Sequence, residues 1–297
     1  MSETKFRKIN NLLGWLVFSV AIITYGLTVE PTASYWDAGE YIATSAKLQI
    51  GHPPGAPLYQ MLGAVFSLFA TSPEKIALAV NYLSVVSSAF VILFLFWSIT
   101  LLLRKIYDIN HKINSKNIFL SAVIGSLAYT FSDSFWFSAV ESEVYALAMF
   151  FLAATFWLGL RWEKDFDTER GDKWLVLISF MIGLSFGVHF MAILTIPAIG
   201  MIYFFKKYKK ITIKNFLLAN IISVSILLFI FKLLLPYTLG FFGQLEVFFV
   251  NSIGLPFNSG TIIAAVLVVL FFYKALKYSR DKGNVNLNTL ILCTLFI

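Results

Sequence analysis

Charge is what this sequence lacks most: 13% of its 297 residues are Asp, Glu, Lys or Arg, where a soluble domain carries about 25%. With 59% hydrophobic residues and a mean hydropathy of +0.79, the chain reads as an integral membrane protein. Its one cysteine, Cys293, sits in an apolar run, which excludes a disulfide framework or a cysteine metal site within the chain. No P-loop or G-x-G-x-x-G string is present, so no nucleotide is implied. The weak ten-residue alternation of an outer-membrane barrel is missing as well, which leaves an all-helical fold. Finally, there is no internal repeat and no pair of interrupted helices in matching halves, which argues against a secondary transporter.

What is present is a series of apolar runs near the roughly 20 residues that cross a bilayer as a helix. They predict eight crossings: 12–29, 76–103, 117–131, 144–160, 174–188, 190–205, 216–235 and 261–273. A ninth starts near Leu287 and is cut at Ile297, as expected for a fragment of a longer protein whose residues 1–297 form one N-terminal transmembrane domain. The first run follows Lys5, Arg7 and Lys8 but is longer than a signal-peptide core, so it reads as an uncleaved anchor. Cleavage near Thr32-Ala33-Ser34 is the alternative, and would leave the next segment at the mature N-terminus.

Lys and Arg in short loops stay on the cytoplasmic side. With the N-terminus inside, all of the 23 basic residues except Lys47, Lys75 and Lys232 fall on that side, including the run Lys206 to Lys210 and a loop with Lys112 and a solvated His111. The net charge of +7 is therefore a matter of topology and lipid contact, and nucleic acid need not be invoked. The expected location is the inner (cytoplasmic) membrane, with the polar loops on its outer, periplasmic face.

Those outer loops hold the unusual residues. In "SYWDAGEYIATSAKLQIGHPPGAPLYQ", Ala38 to Ile50 and then Leu58 to Ala70 have helical spacing, but neither can span; both are expected to lie along the membrane surface. His52-Pro53-Pro54-Gly55-Ala56-Pro57 is the rigid corner between them. Asp37 and Glu40 fit a capping box, Asp37 accepting from the Glu40 N–H, and the same pair fits a catalytic role; the two are compatible. The second outer loop, "FSDSFWFSAVESEVYAL", carries Asp133, Glu141 and Glu143 with no basic neighbour. In an extended segment Glu141 and Glu143 project to one side, as hard-cation or hydroxyl binders do, or else they cap the next helix. His189, in "GLSFGVHF", has the ordinary reading of an interhelical donor, and with His52 it is the only outer-face histidine.

Carboxylates and imidazoles at a membrane surface suit a substrate whose tail stays in the bilayer, such as a polyprenyl-phosphate sugar. A carboxylate can take the proton of an attacking hydroxyl while imidazole, Lys or a bound cation stabilises the departing phosphate. The strings "YWDAGEYIATSAKLQIGHPPGAPLY", "FWFSAVESEVYAL" and "GLSFGVHF" resemble the signatures of a bacterial membrane family whose animal member is a transmembrane protein O-mannosyltransferase. That family is similar in architecture to the GT-C glycosyltransferases. The resemblance implies a GT-C-like polytopic helical bundle with two membrane-parallel helices in the first outer loop. It implies inverting transfer of a sugar, mannose, from a polyprenyl-phosphate donor to Ser or Thr of a protein acceptor. Asp37 would be the base and Glu40 a second, orienting carboxylate; His52, Lys47, His189 and Tyr145 would bind substrate. Glu141 and Glu143 resemble the acidic pair of metal-dependent GT-C enzymes and with Asp37 would be a Mg²⁺ or Mn²⁺ site; other GT-C mannosyltransferases work without metal, and the sequence does not decide between the two. Two further readings stand beside it: a transporter or flippase of lipid-linked sugars, disfavoured by the scarcity of mid-membrane ionisable residues, and a non-catalytic membrane scaffold.

Overall fold

The computed structural model describes residues 1–110, 114–168 and 170–297; the expected inner-loop residues His111 and Lys112 lie outside them. The described residues are helical, without strands. α1 (Glu3–Leu27) is followed by the short α2 (Ala38–Lys47) and α3 (Pro57–Ser67), the long α4 (Ile76–Asn110), α5 (Ser115–Thr130), α6 (Asp133–Ala139) and α7 (Val144–Lys164). Then come α8 (Gly171–Phe186), α9 (Thr195–Lys207), α10 (Ile213–Phe229), α11 (Leu235–Val247), α12 (Ser259–Asp281) and α13 (Val285–Phe296). Six helical stretches are long and apolar enough to cross a membrane, and α5 with α6, bent by 67°, makes a seventh if the pair is one span. The protein is an all-helical, multi-pass membrane protein.

Two expected crossings form shorter helices, α8 with 16 residues and α13 with 12. In the other direction, the loop expected after residue 235 is helical: Ile213–Ser252 runs as one stretch of 40 residues. Proline at position 236 would ordinarily break it, since its ring clashes with the carbonyl four residues back. Here a π turn, Ile230–Leu234, immediately precedes α11 and absorbs the conflict.

The chain divides into two compact units: Met1–Lys164 with Met181–Ile193, and Asp165–Phe180 with Leu194–Ile297. The first unit is built on α4, whose buried Val85, Ala89, Ile92 and Phe96 pack with Val17, Ala21 and Tyr25 of α1 and Ala122 of α5. Each is a small or β-branched residue or an aromatic that fills a gap, so the helices approach closely. A second apolar cluster, with Tyr41 of α2, Tyr59 of α3, Leu83 of α4, and Val144, Leu147 and Phe151 of α7, forms the floor on which α2 and α3 lie. Gly63 permits that close contact: a Cβ there would stand 2.4 Å from the Ser45 hydroxyl.

In the second unit, Glu246 of α11 accepts from the N–H groups of Asn258 (2.6 Å) and Thr261 (2.8 Å) and so caps α12. A carboxylate there meets the positive end of the helix dipole.

Candidate active site

The chain leaves α1 at Leu27 and is tied at once to two other segments. The Glu30 N–H donates to the Val140 carbonyl at 2.9 Å, and the Trp136 indole donates to the Thr28 hydroxyl at 2.9 Å. Asn81, 1% exposed in α4, donates to the carbonyls of Glu30 (2.6 Å) and Thr32 (3.0 Å) and accepts from the Ser142 hydroxyl. The first and second loops are therefore one piece, with the buried Asn81 amide bonded to both. Ser34 adds a bond from its hydroxyl to Glu141 Oε2 at 2.5 Å.

This anchored strand delivers Asp37 to the start of α2. The residue before it, Trp36, has φ 59 and is 89% exposed. A bulky side chain in the left-handed region costs of order 1–3 kcal/mol and persists only where its surroundings hold it. Asp37 does not cap α2 with its side chain, so the capping box does not form. Glu40 turns instead to the corner loop: Oε1 accepts from the His52 N–H at 2.6 Å, and Oε2 lies 3.0 Å from His52 Nδ1. That fixes the tautomer with hydrogen on Nδ1 and leaves Nε2 3.8 Å from Asp37 Oδ2, an ion-pair distance rather than a hydrogen bond. The two bonds from His52 hold Glu40 below the ordinary carboxylate range, and Glu40 raises the His52 imidazole in turn.

Behind this trio the site becomes drier. Glu143 is buried, and burial, reinforced by Asp37 and Glu141, pushes its carboxyl up to about 7 even though the Asp37 and Val144 N–H groups donate to it. Burial also raises Glu141. Tyr41 stands among them: burial first, then Glu143, Asp37 and Glu40, push its phenol up to about 12, so it remains a donor at any physiological pH.

A third wall comes from residues 187–189. The Leu58 and Tyr59 N–H groups at the start of α3 both donate to the Gly187 carbonyl, at 2.8 and 3.3 Å. Only glycine admits this approach, since a Cβ would stand 2.8 Å from the Leu58 Cβ. Next to it, the His189 ring lies 5.8 Å from the Tyr145 ring, its Nδ1 buried without a partner, and burial lowers its pKa.

Of the residues expected from the sequence, the structure thus gathers Asp37, Glu40, His52 and Glu143, and pairs Tyr145 with His189 beside them. Lys47 is exposed on the last turn of α2 and makes no ion pair among the described residues. Glu141 is engaged by Ser34 and is not part of the ligand set nearest to a cation site. That set is Asp37, Glu40 and His52, whose ligand atoms lie within 4.8 Å of one another. Two carboxylates and an imidazole suit Mn²⁺ better than all-oxygen Mg²⁺. Sequence reading missed Tyr41, Trp36, Ser34 and Asn81. Only Asn81 carried a signal, as an amide inside the apolar run 76–103.

Residues 37–212, more than half of the chain, match the family model described as the protein O-mannosyl-transferase TMEM260 N-terminal domain. The match begins at Asp37 itself and takes in every site residue named above from there to His189. The Dictyostelium discoideum protein O-mannosyl-transferase tmem260 is 25% identical over 194 residues, 61% of this chain and 22% of that protein. The Mus musculus protein O-mannosyl-transferase TMEM260 is 24% identical over 170 residues, 57% of this chain and 22% of that protein. The similarity thus spans under a quarter of the length of these relatives, and no solved structure matches. Fold, anchored carboxylates and family match agree: the chain belongs to the TMEM260 N-terminal-domain family.

Proposed function

We propose that this chain holds the transfer centre of a protein O-mannosyltransferase. It would act at the outer face of the cytoplasmic membrane, moving mannose with inversion from a polyprenyl phosphate to Ser or Thr hydroxyls of a protein. The single observation that supports this is the exposed Asp37 carboxylate beside a histidine that Glu40 holds in one tautomer.

In this reading the acceptor hydroxyl attacks the anomeric carbon and gives its proton to Asp37 as the new C–O bond forms. The bond from that carbon to the lipid phosphate oxygen breaks, and the phosphate leaves with the electron pair. His52, whose pKa Glu40 raises, supplies positive charge for it when it carries a proton. Tyr41 and the Tyr145–His189 pair border the sugar and its phosphate, and the exposed face of Trp36 offers an apolar platform for a sugar ring. Where a divalent cation is used, Asp37, Glu40 and His52 would hold it, and it would add charge for the leaving phosphate. The exposed apolar rim of α3 and the turn after it, with Met61, Val65, Leu68 and Phe69, lets the carrier chain remain in lipid.

The test uses the full-length protein in nanodiscs with polyprenyl-phosphate mannose and Ser/Thr peptides. Asp37→Asn is expected to lower transfer by about 10²–10⁴-fold, the usual worth of a general base, with insertion and folding unchanged. Full activity in that variant would remove Asp37 from the chemistry. EDTA sensitivity would support the cation, and movement of the lipid-linked sugar without transfer would favour a flippase.

A further inference from the structure

The first unit has a second polar cavity, at the other end of the bundle. It measures 520 Å³ and opens between the start of α1, the end of α4 and the end of α7. From Arg7 to Leu27 the helix rises about 30 Å, so this cavity and the Asp37 site lie a membrane's thickness apart.

Its lining is cationic in excess. Arg7, Arg104, Arg161 and Lys164 contribute to it, against one acid, Glu3. Glu3 is already taken: Arg104 holds both of its oxygens, at 3.1 and 2.7 Å. The lining therefore keeps a net positive charge, with Arg7 and Lys164 exposed to an incoming anion. Three indoles, Trp15, Trp97 and Trp157, complete the wall, with the Arg161 guanidinium 5.9 Å from the Trp157 ring. The Trp97 N–H donates to no acceptor among the described residues.

The apolar surroundings say how the anion would arrive. Beyond the basic mouth, α1 presents Leu12 (70% exposed), Trp15 (48%) and Leu16 (55%), a strip that an acyl chain can cover while its headgroup sits among the arginines. Tryptophan at this level is an interfacial residue. A basic recess between spanning helices on the cytoplasmic side is the kind of site that holds acidic lipid headgroups.

We propose that this cavity binds the phosphate of an anionic membrane phospholipid, in a site separate from the transfer centre. It depends on none of the transfer chemistry.

The experiment compares wild type, the double variant Arg7→Gln/Lys164→Gln and a control, Lys206→Gln/Lys207→Gln, each as the full chain. Native mass spectrometry and thermal unfolding read the retention of phosphatidylglycerol against phosphatidylcholine. Wild type should retain phosphatidylglycerol selectively, and removing two basic side chains should weaken that roughly thirtyfold, with the control unchanged. Equal retention by the Arg7/Lys164 variant would overturn the site, and an equal loss in the control would reduce it to general surface charge. Inorganic phosphate that stabilises wild type as strongly as the lipid does would overturn the lipid assignment in favour of a soluble phosphate.

Discussion

Replacing Glu143 with Gln should stabilise the protein above neutral pH and leave it unchanged in acid. In the fold, burial raises this carboxyl from 4.5 to about 7. Below pH 4.5 both folded and unfolded chains carry the proton, and the group contributes nothing to the pH dependence. Between 4.5 and 7 the folded chain keeps a proton that the unfolded chain has released, so stability falls as pH rises; above 7 the deficit is complete. A displacement of that size corresponds to about 3 kcal/mol. Gln keeps the shape, and its carbonyl can still accept from the Asp37 and Val144 N–H groups. The assay is thermal unfolding of wild type and Glu143→Gln in the same detergent from pH 4 to 8. The difference between them should open through this interval by several degrees and then level off. Titration of Glu40 is common to both proteins, and that of His52 differs only by the contribution of Glu143, the smallest of those that raise it. Parallel curves across the range would refute the placement of Glu143 as a buried, ionisable group.

Asn81→Ala removes two donations and one acceptance that join the loops, and should cost about 2–4 kcal/mol in unfolding free energy as well as transfer activity. Gly187→Ala forces a methyl against the Leu58 Cβ and should destabilise by about 1–3 kcal/mol; Leu58→Gly in the same chain, which removes that Cβ, should recover part of this, and strict additivity would count against the contact. Glu40→Gln should return the His52 pKa toward 6.5, followed by NMR of labelled histidine. Since a raised histidine pKa stabilises the fold below the unfolded value and is lost as pH rises through the folded one, this variant should lose stability selectively in acid.

The spanning helices were legible because a run such as 76–103 has no competing reading at this hydropathy, and α2 and α3 emerged within three residues of their expected ends from periodicity and the proline corner. The partner of Glu40 was not legible. Asp-x-x-Glu is a local pattern, and His52 lies twelve positions away across a turn whose shape the sequence does not display. Glu141 and Glu143 were singled out by their alternation, and both are buried. Alternation in an extended segment, however, says nothing of which glutamate meets Ser34 and which faces Asp37. The helix through Pro236 was missed because proline normally ends a helix, and a π turn is not encoded in hydrophobic spacing.

The bonds from Leu58 and Tyr59 to Gly187 have a consequence for biogenesis. Ribosomes deliver the first loop well before its third wall: at 5–20 residues per second, the roughly 130 residues between Leu58 and Gly187 take on the order of ten seconds to make. Through that interval the nascent chain can close Glu40 on His52, and later Asn81 on Ser142, but the backbone donors at the start of α3 have no acceptor. During synthesis, α3 is an unlatched door, and the candidate site closes only when the turn at Gly187 has been made.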